Sequence, residues 1–188
     1  MKTYGPGIPK GHSVYMGVDQ SYGGFSITYI SKEDSTKYKT VVKKFEGGGI
    51  TRLVAVAEFI VESLNDVATD KNKVIDAAIE GYAYGSQMSH MLGELGAIVK
   101  LVLFDNGMFP LIIPPTTLKK YVAGKGKDVK KSQMLLAVFK KWGVELTDDN
   151  AADSYSLARI ASGYATVDYE KAIQGNLKDP KYREKQNG

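Results

Sequence analysis

The stretch VYMGVDQSYGGFSITYI (14–30) decides the fold. Val14, Met16 and Val18 alternate with Tyr15, Gly17 and Asp19, the period of two that marks a strand. Gln20–Gly24 is polar and glycine-bearing and reads as a turn, and Phe25–Ile30 reads as a second strand. Tyr38–Phe45 follows another polar turn and reads as a third. Short polar connections between three such runs predict an antiparallel meander.

The pattern then changes period. Gly47-Gly48-Gly49 breaks the chain, after which Leu53, Val56, Ala57, Ile60, Val61 and Leu64 recur at helical spacing. Val74–Glu80 (VIDAAIE) is short and largely apolar, as suits a buried strand in a parallel sheet. A second long helix carries Met88, Met91, Leu92, Leu95, Ile98, Val99 and Val102, and Leu111–Ile113 is a fifth strand. Pro114-Pro115 stops that strand and opens a short helix around Leu118–Val122. Gly124 and Gly126 mark a loop, Val129–Trp142 is helical, and Thr147–Asp149 caps a last helix running to about Tyr164. The expectation is an α/β fold: one domain over 13–165, a five-stranded mixed sheet with helices on both faces. Residues 1–12 read as a flexible lead-in and 166–188 as a polar tail with a frayed end.

Composition limits the possibilities. At 188 residues the chain can bury about two-thirds of its unfolded surface in one core. Its 43% hydrophobic and 24% charged residues exclude a disordered chain. No run of about 18 apolar residues is present, so no membrane partner is expected. The opening MKTYGPGIPKGHS has no apolar segment of the secretory kind, which points to the cytoplasm. Without cysteine there is neither a disulfide framework nor a thiolate zinc site.

The acids carry the chemistry. Asp19 and Glu80 each close an apolar strand, where ligands of open α/β sheets bind. Asp153 shares a helical stripe with Leu157, Ile160 and Tyr164, so it points toward the sheet, with Asn150 and Asp149 one turn earlier on the same side. Each has a plainer reading: Asp19 as a turn residue, Asp149 as a helix cap. A buried carboxylate on a core stripe, however, is costly without a cation or hydrogen bonds. Together the acids describe an oxygen-lined pocket for two Mg²⁺ ions about 4 Å apart, with Asp19 bridging and Glu80 and Asp153 each holding one. Mn²⁺ would substitute. The two histidines, His12 in the lead-in and His90 on a long helix, are too few for a zinc hydrolase. Between Lys119 and Lys141 there are eight lysines and one acid, which suggests a polyanion partner or, equally, a solvated helix face.

At these residues the chain resembles the RuvC family of Holliday junction resolvases, within the RNase H-like superfamily. The matching stretches are YMGVDQSYGGFSI (15–27), AAIEGYAYG (77–85), MLGELGAIV (91–99), LKKYVAGKGKDVKKSQM (118–134) and DNAADSYSLARIA (149–161). The resemblance implies an RNase H-like sheet and metal-dependent cleavage of four-way DNA junctions by a homodimer, one nick per protomer. By position it makes Asp19, Glu80 and Asp153 metal ligands, and Lys119 and Lys131 the basic residues beside the scissile phosphate. Lys120, Lys125, Lys127 and Lys130 are the remaining DNA-binding candidates. The fourth ligand position holds Asn150, where the family has Asp or His, with Asp149 as the alternative. The aromatic wedge position holds Ala83, so Tyr82 and Tyr84 are its candidate replacements. Size and lysine content resemble the bacteriophage branch, which implies selection by DNA shape. Two alternatives stay open: an RNase H-like nuclease acting on RNA or R-loops, and a junction-binding protein with an impaired site.

Overall fold

The structure is a computed structural model that describes residues 1–67, 73–81 and 89–187. Its strands are β1 (Lys2–Tyr4), β2 (Val14–Asp19), β3 (Phe25–Ser31), β4 (Tyr38–Lys43), β5 (Val74–Glu80) and β6 (Leu111–Ile113). The helices are α1 (Gly49–Val67), α2 (Ser89–Asp105), α3 (Pro115–Ala123), α4 (Lys131–Trp142), α5 (Asp149–Ala161), α6 (Asp168–Leu177) and α7 (Pro180–Asn187). One sheet runs in the order β1-β4-β3-β2-β5-β6. β2, β3 and β4 form the expected antiparallel meander, whereas β5 pairs parallel to β2 and β6 parallel to β5.

The alternation in β2 and β3 sorts the two layers. Val14, Met16, Val18, Phe25, Ile27 and Tyr29 face α1 and α2, packing with Val56, Ile60, Leu64, Leu95, Val99 and Leu103. The opposite face meets α5, with Tyr155, Leu157, Ala158 and Ile160 in a core that also takes in Leu118, Tyr121 and Val138. On that face the sheet offers small and hydroxylic residues. The Ser154 hydroxyl bonds Ser26 at 2.7 Å and Thr28 at 2.8 Å, and Thr28 bonds Thr40 at 2.7 Å. Buried hydroxyls satisfied in this way fix the height and rotation of α5 on the sheet.

Gly17 is the point of closest approach. A Cβ there would lie 2.0 Å from the Ser154 carbonyl oxygen and 2.3 Å from the Ala158 nitrogen, so only glycine lets the α5 backbone rest on β2.

Two expectations are corrected at the ends of the chain. The lead-in is not loose throughout: Lys2, Thr3 and Tyr4 pair with Val42, Val41 and Thr40, making a sixth strand that covers the β4 edge. Beyond residue 165 the chain forms α6 and α7 instead of a plain tail. Ile173 and Leu177 enter the core, and Gln174 donates to the Ile160 carbonyl at 2.9 Å. From α7, Gln186 accepts the Ile112 N–H and donates to its carbonyl, both at 2.9 Å, so a side chain closes the β6 edge.

Gly17→Ala is expected to lower unfolding stability by about 3 kcal/mol, the upper end of overpacking costs, because the methyl group meets backbone. Gly175→Ala, in α6 with nothing near its would-be Cβ, should instead raise stability by about 0.5–1 kcal/mol. Urea unfolding midpoints of the two variants check both signs.

Candidate metal centre

The pairing of Val18 with Ile79 sets the ends of β2 and β5 side by side, so Asp19 and Glu80 leave the sheet together. α5, seated on Gly17, adds Asp153 from above. One carboxylate oxygen from each of the three lies within 4.8 Å of the others. Asp19 is 2% exposed.

Three carboxyl groups this close cannot all ionise cheaply. Burial, with the charges of Glu80 and Asp153 and the hydrogen bond to Glu80, holds the Asp19 carboxyl well above the usual carboxylate range, while the Ser21 N–H pulls the other way. Burial pushes Glu80 up to about 7 against the opposing pull of the hydrogen bond from Asp19 and the charge of Lys119. Asp153 is also pushed to about 7, by burial and then by Glu80 and Asp149, with Lys119 and Lys131 opposing. One Asp153 oxygen, Oδ1, is buried without a hydrogen-bond partner. An all-oxygen set with mutual repulsion and an unsatisfied buried oxygen fits a hard divalent cation, which would replace the protons.

The first turn of α5 resolves the roles of its polar residues. Asp148, not Asp149, caps the helix, accepting from the Asn150 N–H at 3.1 Å. Asp148 is the residue with extended backbone ahead of the first turn, which the position requires. Asp149 forms an ion pair with Lys131 and is not grouped with the three acids. The Asn150 amide nitrogen donates to Asp148 at 3.2 Å, which leaves its carbonyl oxygen to serve as a ligand. Gly24 makes room for Asn150, since a Cβ there would sit 2.7 Å from that nitrogen.

The lysines divide. Lys119, on α3, and Lys131, at the start of α4, are the two whose charge reaches the acids. Lys120, Lys125 and Lys127 line an open groove of about 500 Å³ with Thr116 and Thr117. Lys130 is exposed and precedes α4, its N–H bonded to the Gln133 side chain at 2.9 Å. Tyr82, Ala83 and Tyr84 lie outside the described residues.

Two further residues bear on the site. Gln20, 5% exposed, donates to the Glu80 carbonyl at 2.5 Å and locks the ends of β2 and β5 together. Arg52, also 5% exposed, donates to the Tyr22 and Phe45 carbonyls, with its guanidinium 3.9 Å from the Tyr22 ring centre. It thereby clips the turn after Asp19 to the end of β4. The signal was present in the spacing: Arg52 precedes Val56, Phe59 and Ser63 on the buried stripe of α1.

No family model and no curated protein matches this sequence. Solved structures do. A Thermus thermophilus RuvC structure shares 16% identity, covering 87% of this chain and 96% of that one, with a TM-score of 0.62. The T. thermophilus RuvC in complex with Holliday junction substrate shares 18% identity over 78% of this chain and 91% of that one, again at 0.62. This chain has a RuvC-like fold. The RuvC-like sheet carries Asp19 and Glu80 at the ends of neighbouring parallel strands and Asp153 on the helix packed across them. Identity this low, with a TM-score of 0.62, means that the fold rests on packing pattern rather than on shared side chains.

The raised carboxyl groups give a pH dependence of defined sign. The folded protein holds protons that the unfolded chain releases at ordinary carboxylate values. The metal-free protein therefore loses stability as pH rises from about 4 through about 7. Asp153→Asn should flatten that fall, and Mg²⁺ should raise the unfolding midpoint more near pH 7.5 than near pH 5. Denaturation in chelator and in Mg²⁺ across this range measures both; equal slopes for wild type and Asp153→Asn would contradict the assignment.

Proposed function

We propose that this chain is a divalent-metal-dependent endonuclease that cuts branched DNA, four-way junctions foremost, as a two-fold homodimer making paired nicks. The observation that carries the reading is the convergence of Asp19, Glu80 and Asp153 within 4.8 Å in a RuvC-like fold. The similar T. thermophilus structure holds a Holliday junction substrate, which supports the choice of substrate class.

In this reading Asp19, Glu80, Asp153 and the Asn150 carbonyl oxygen would together hold two Mg²⁺ ions, with Mn²⁺ able to replace Mg²⁺. When bound, the ions supply Lewis acidity and positive charge for an in-line displacement at phosphorus. Gln20 and the Ser21 N–H keep Asp19 and Glu80 in place. Lys119 and Lys131 offset phosphate charge beside the scissile bond, and Asp149 orients Lys131 through their ion pair. Lys120, Lys125, Lys127 and Lys130 hold the flanking backbone. Tyr82 and Tyr84 stack on bases exposed at the junction centre. Two protomers related by a two-fold axis match the symmetry of a four-way junction and set two centres on opposed strands.

Asp19→Asn and Glu80→Gln should abolish Mg²⁺-dependent cleavage of a labelled four-way junction while leaving binding intact or tighter. Junction, linear duplex and RNA–DNA hybrid compared in one assay test the substrate class. Binding without cleavage in Mn²⁺, or preference for the hybrid, would reject the reading. Asn150→Asp should raise the rate at limiting Mg²⁺, because a charged oxygen replaces a neutral one. Asp149→Ala should act through Lys131, lowering the rate without changing the Mg²⁺ concentration that gives half of it. Lys125→Ala and Lys127→Ala should each reduce the salt slope of binding by about one per lost phosphate contact.

A further inference from the structure

At the other end of the sheet from the acids, the β3–β4 turn, the C-terminal half of α5 and the end of α4 enclose a second pocket. Its volume is about 410 Å³, within the range of about 300–1,000 Å³ typical of small-ligand sites. Arg159 forms its base and is only 5% exposed. Its Nε and Nη2 donate to the Tyr155 hydroxyl at 3.1 and 2.6 Å, and Nη2 also donates to the Ser35 carbonyl at 3.2 Å. Nη1 takes part in none of these bonds.

The charge balance around this guanidinium is incomplete. The neighbouring cation, Lys141, is neutralised by an ion pair with Glu170. Among the described residues, no carboxylate pairs with Arg159. Beyond those hydrogen bonds, its compensation comes from aromatic rings: the guanidinium carbon lies 5.6 Å from the Trp142 centroid, 5.3 Å from Tyr155 and 5.4 Å from Tyr164. Such contacts offset part of the cost of burying a charge, but they supply no negative charge. Trp142 and Tyr164 also line the cavity, their centroids 6.4 Å apart. The remaining guanidinium nitrogen, Nη1, suited to donate to an oxyanion, thus sits beside aromatic rings suited to a flat base.

We propose that this pocket binds a phosphate-bearing ligand of nucleotide size, with the phosphate on Arg159 and the base against Trp142 and Tyr164. The site is independent of the acidic centre, so its test uses metal-free protein. Trp142 is the chain's single tryptophan, and its emission reports this pocket alone. Titration of the full chain with a deoxynucleoside 5′-monophosphate should give a saturable change in that emission. Inorganic phosphate, and the deoxynucleoside without phosphate, should each bind about tenfold more weakly, since each lacks one recognition element. Arg159→Gln should weaken the nucleotide by about tenfold or more. Ser35→Asp, on the exposed turn, should do the same by giving Arg159 an internal carboxylate, and it decides the matter if Arg159→Gln does not fold. A short 5′-phosphorylated single strand that displaces the mononucleotide would identify the ligand as a strand end; failure to displace it would identify a free nucleotide. Absence of a saturable change in the wild type, equal affinity for phosphate and nucleotide, or an unaltered midpoint in folded Ser35→Asp would overturn the proposal.

Discussion

The contact between α5 and Gly17 is the constraint on which the rest of the molecule depends. A helix normally rides about 10 Å above a sheet because side chains separate the backbones. Here Gly17, Ser26, Thr28 and Thr40 offer little bulk, and Ser154 and Ala158 descend onto them. The hydroxyl bonds set the rotation of the helix, and the missing side chain sets its height. Asp153, beside Ser154, is thereby lowered to the carboxyl end of β2. Were α5 raised by a methyl layer, the three acids would no longer lie within 4.8 Å of one another.

That closeness is unfavourable until something positive arrives. Burial and mutual repulsion raise the Asp19 carboxyl well above the usual carboxylate range and push Glu80 and Asp153 up to about 7. The surroundings counter the repulsion only in part, through Lys119, Lys131 and the Ser21 N–H. The strand and helix packing around the acids holds them in a strained electrostatic arrangement, as sites that act on charged substrates commonly do. Arg52 and Gln20 serve that packing from below, one pinning the turn after Asp19 and the other joining β2 to β5.

Much of this was legible in the sequence because it rests on long-range periodicity. The alternation in Val14–Asp19, the apolar run at Val74–Glu80 and the stripe through Asp153 each predict a buried face and place an acid at its end. The first turn of α5 was not legible: Thr147, Asp148, Asp149 and Asn150 are all good cap residues, and only backbone geometry separates Asp148 from its neighbours. The edge strand at Lys2–Tyr4 is too short for a period to show. Beyond residue 165, hydrogen bonds from polar side chains reinforce the contacts of Ile173 and Leu177, and a hydrophobic pattern cannot reveal those bonds. Arg52 was missed for the opposite reason, a charged residue on a stripe read for its apolar members.

The Gln186 contact with Ile112 carries a mechanical consequence. β6 has only three residues, and its outer side is held by a side-chain amide together with the Tyr182 hydroxyl, which donates to the Ile112 carbonyl at 2.9 Å. Its inner side pairs with β5, with Ile113 opposite Glu80. α7 therefore acts as a splint on the strand that backs Glu80. Anything that pulls α7 away, such as a nick by a protease or a tightly bound fusion partner, is felt at Glu80 two hydrogen-bonded steps later.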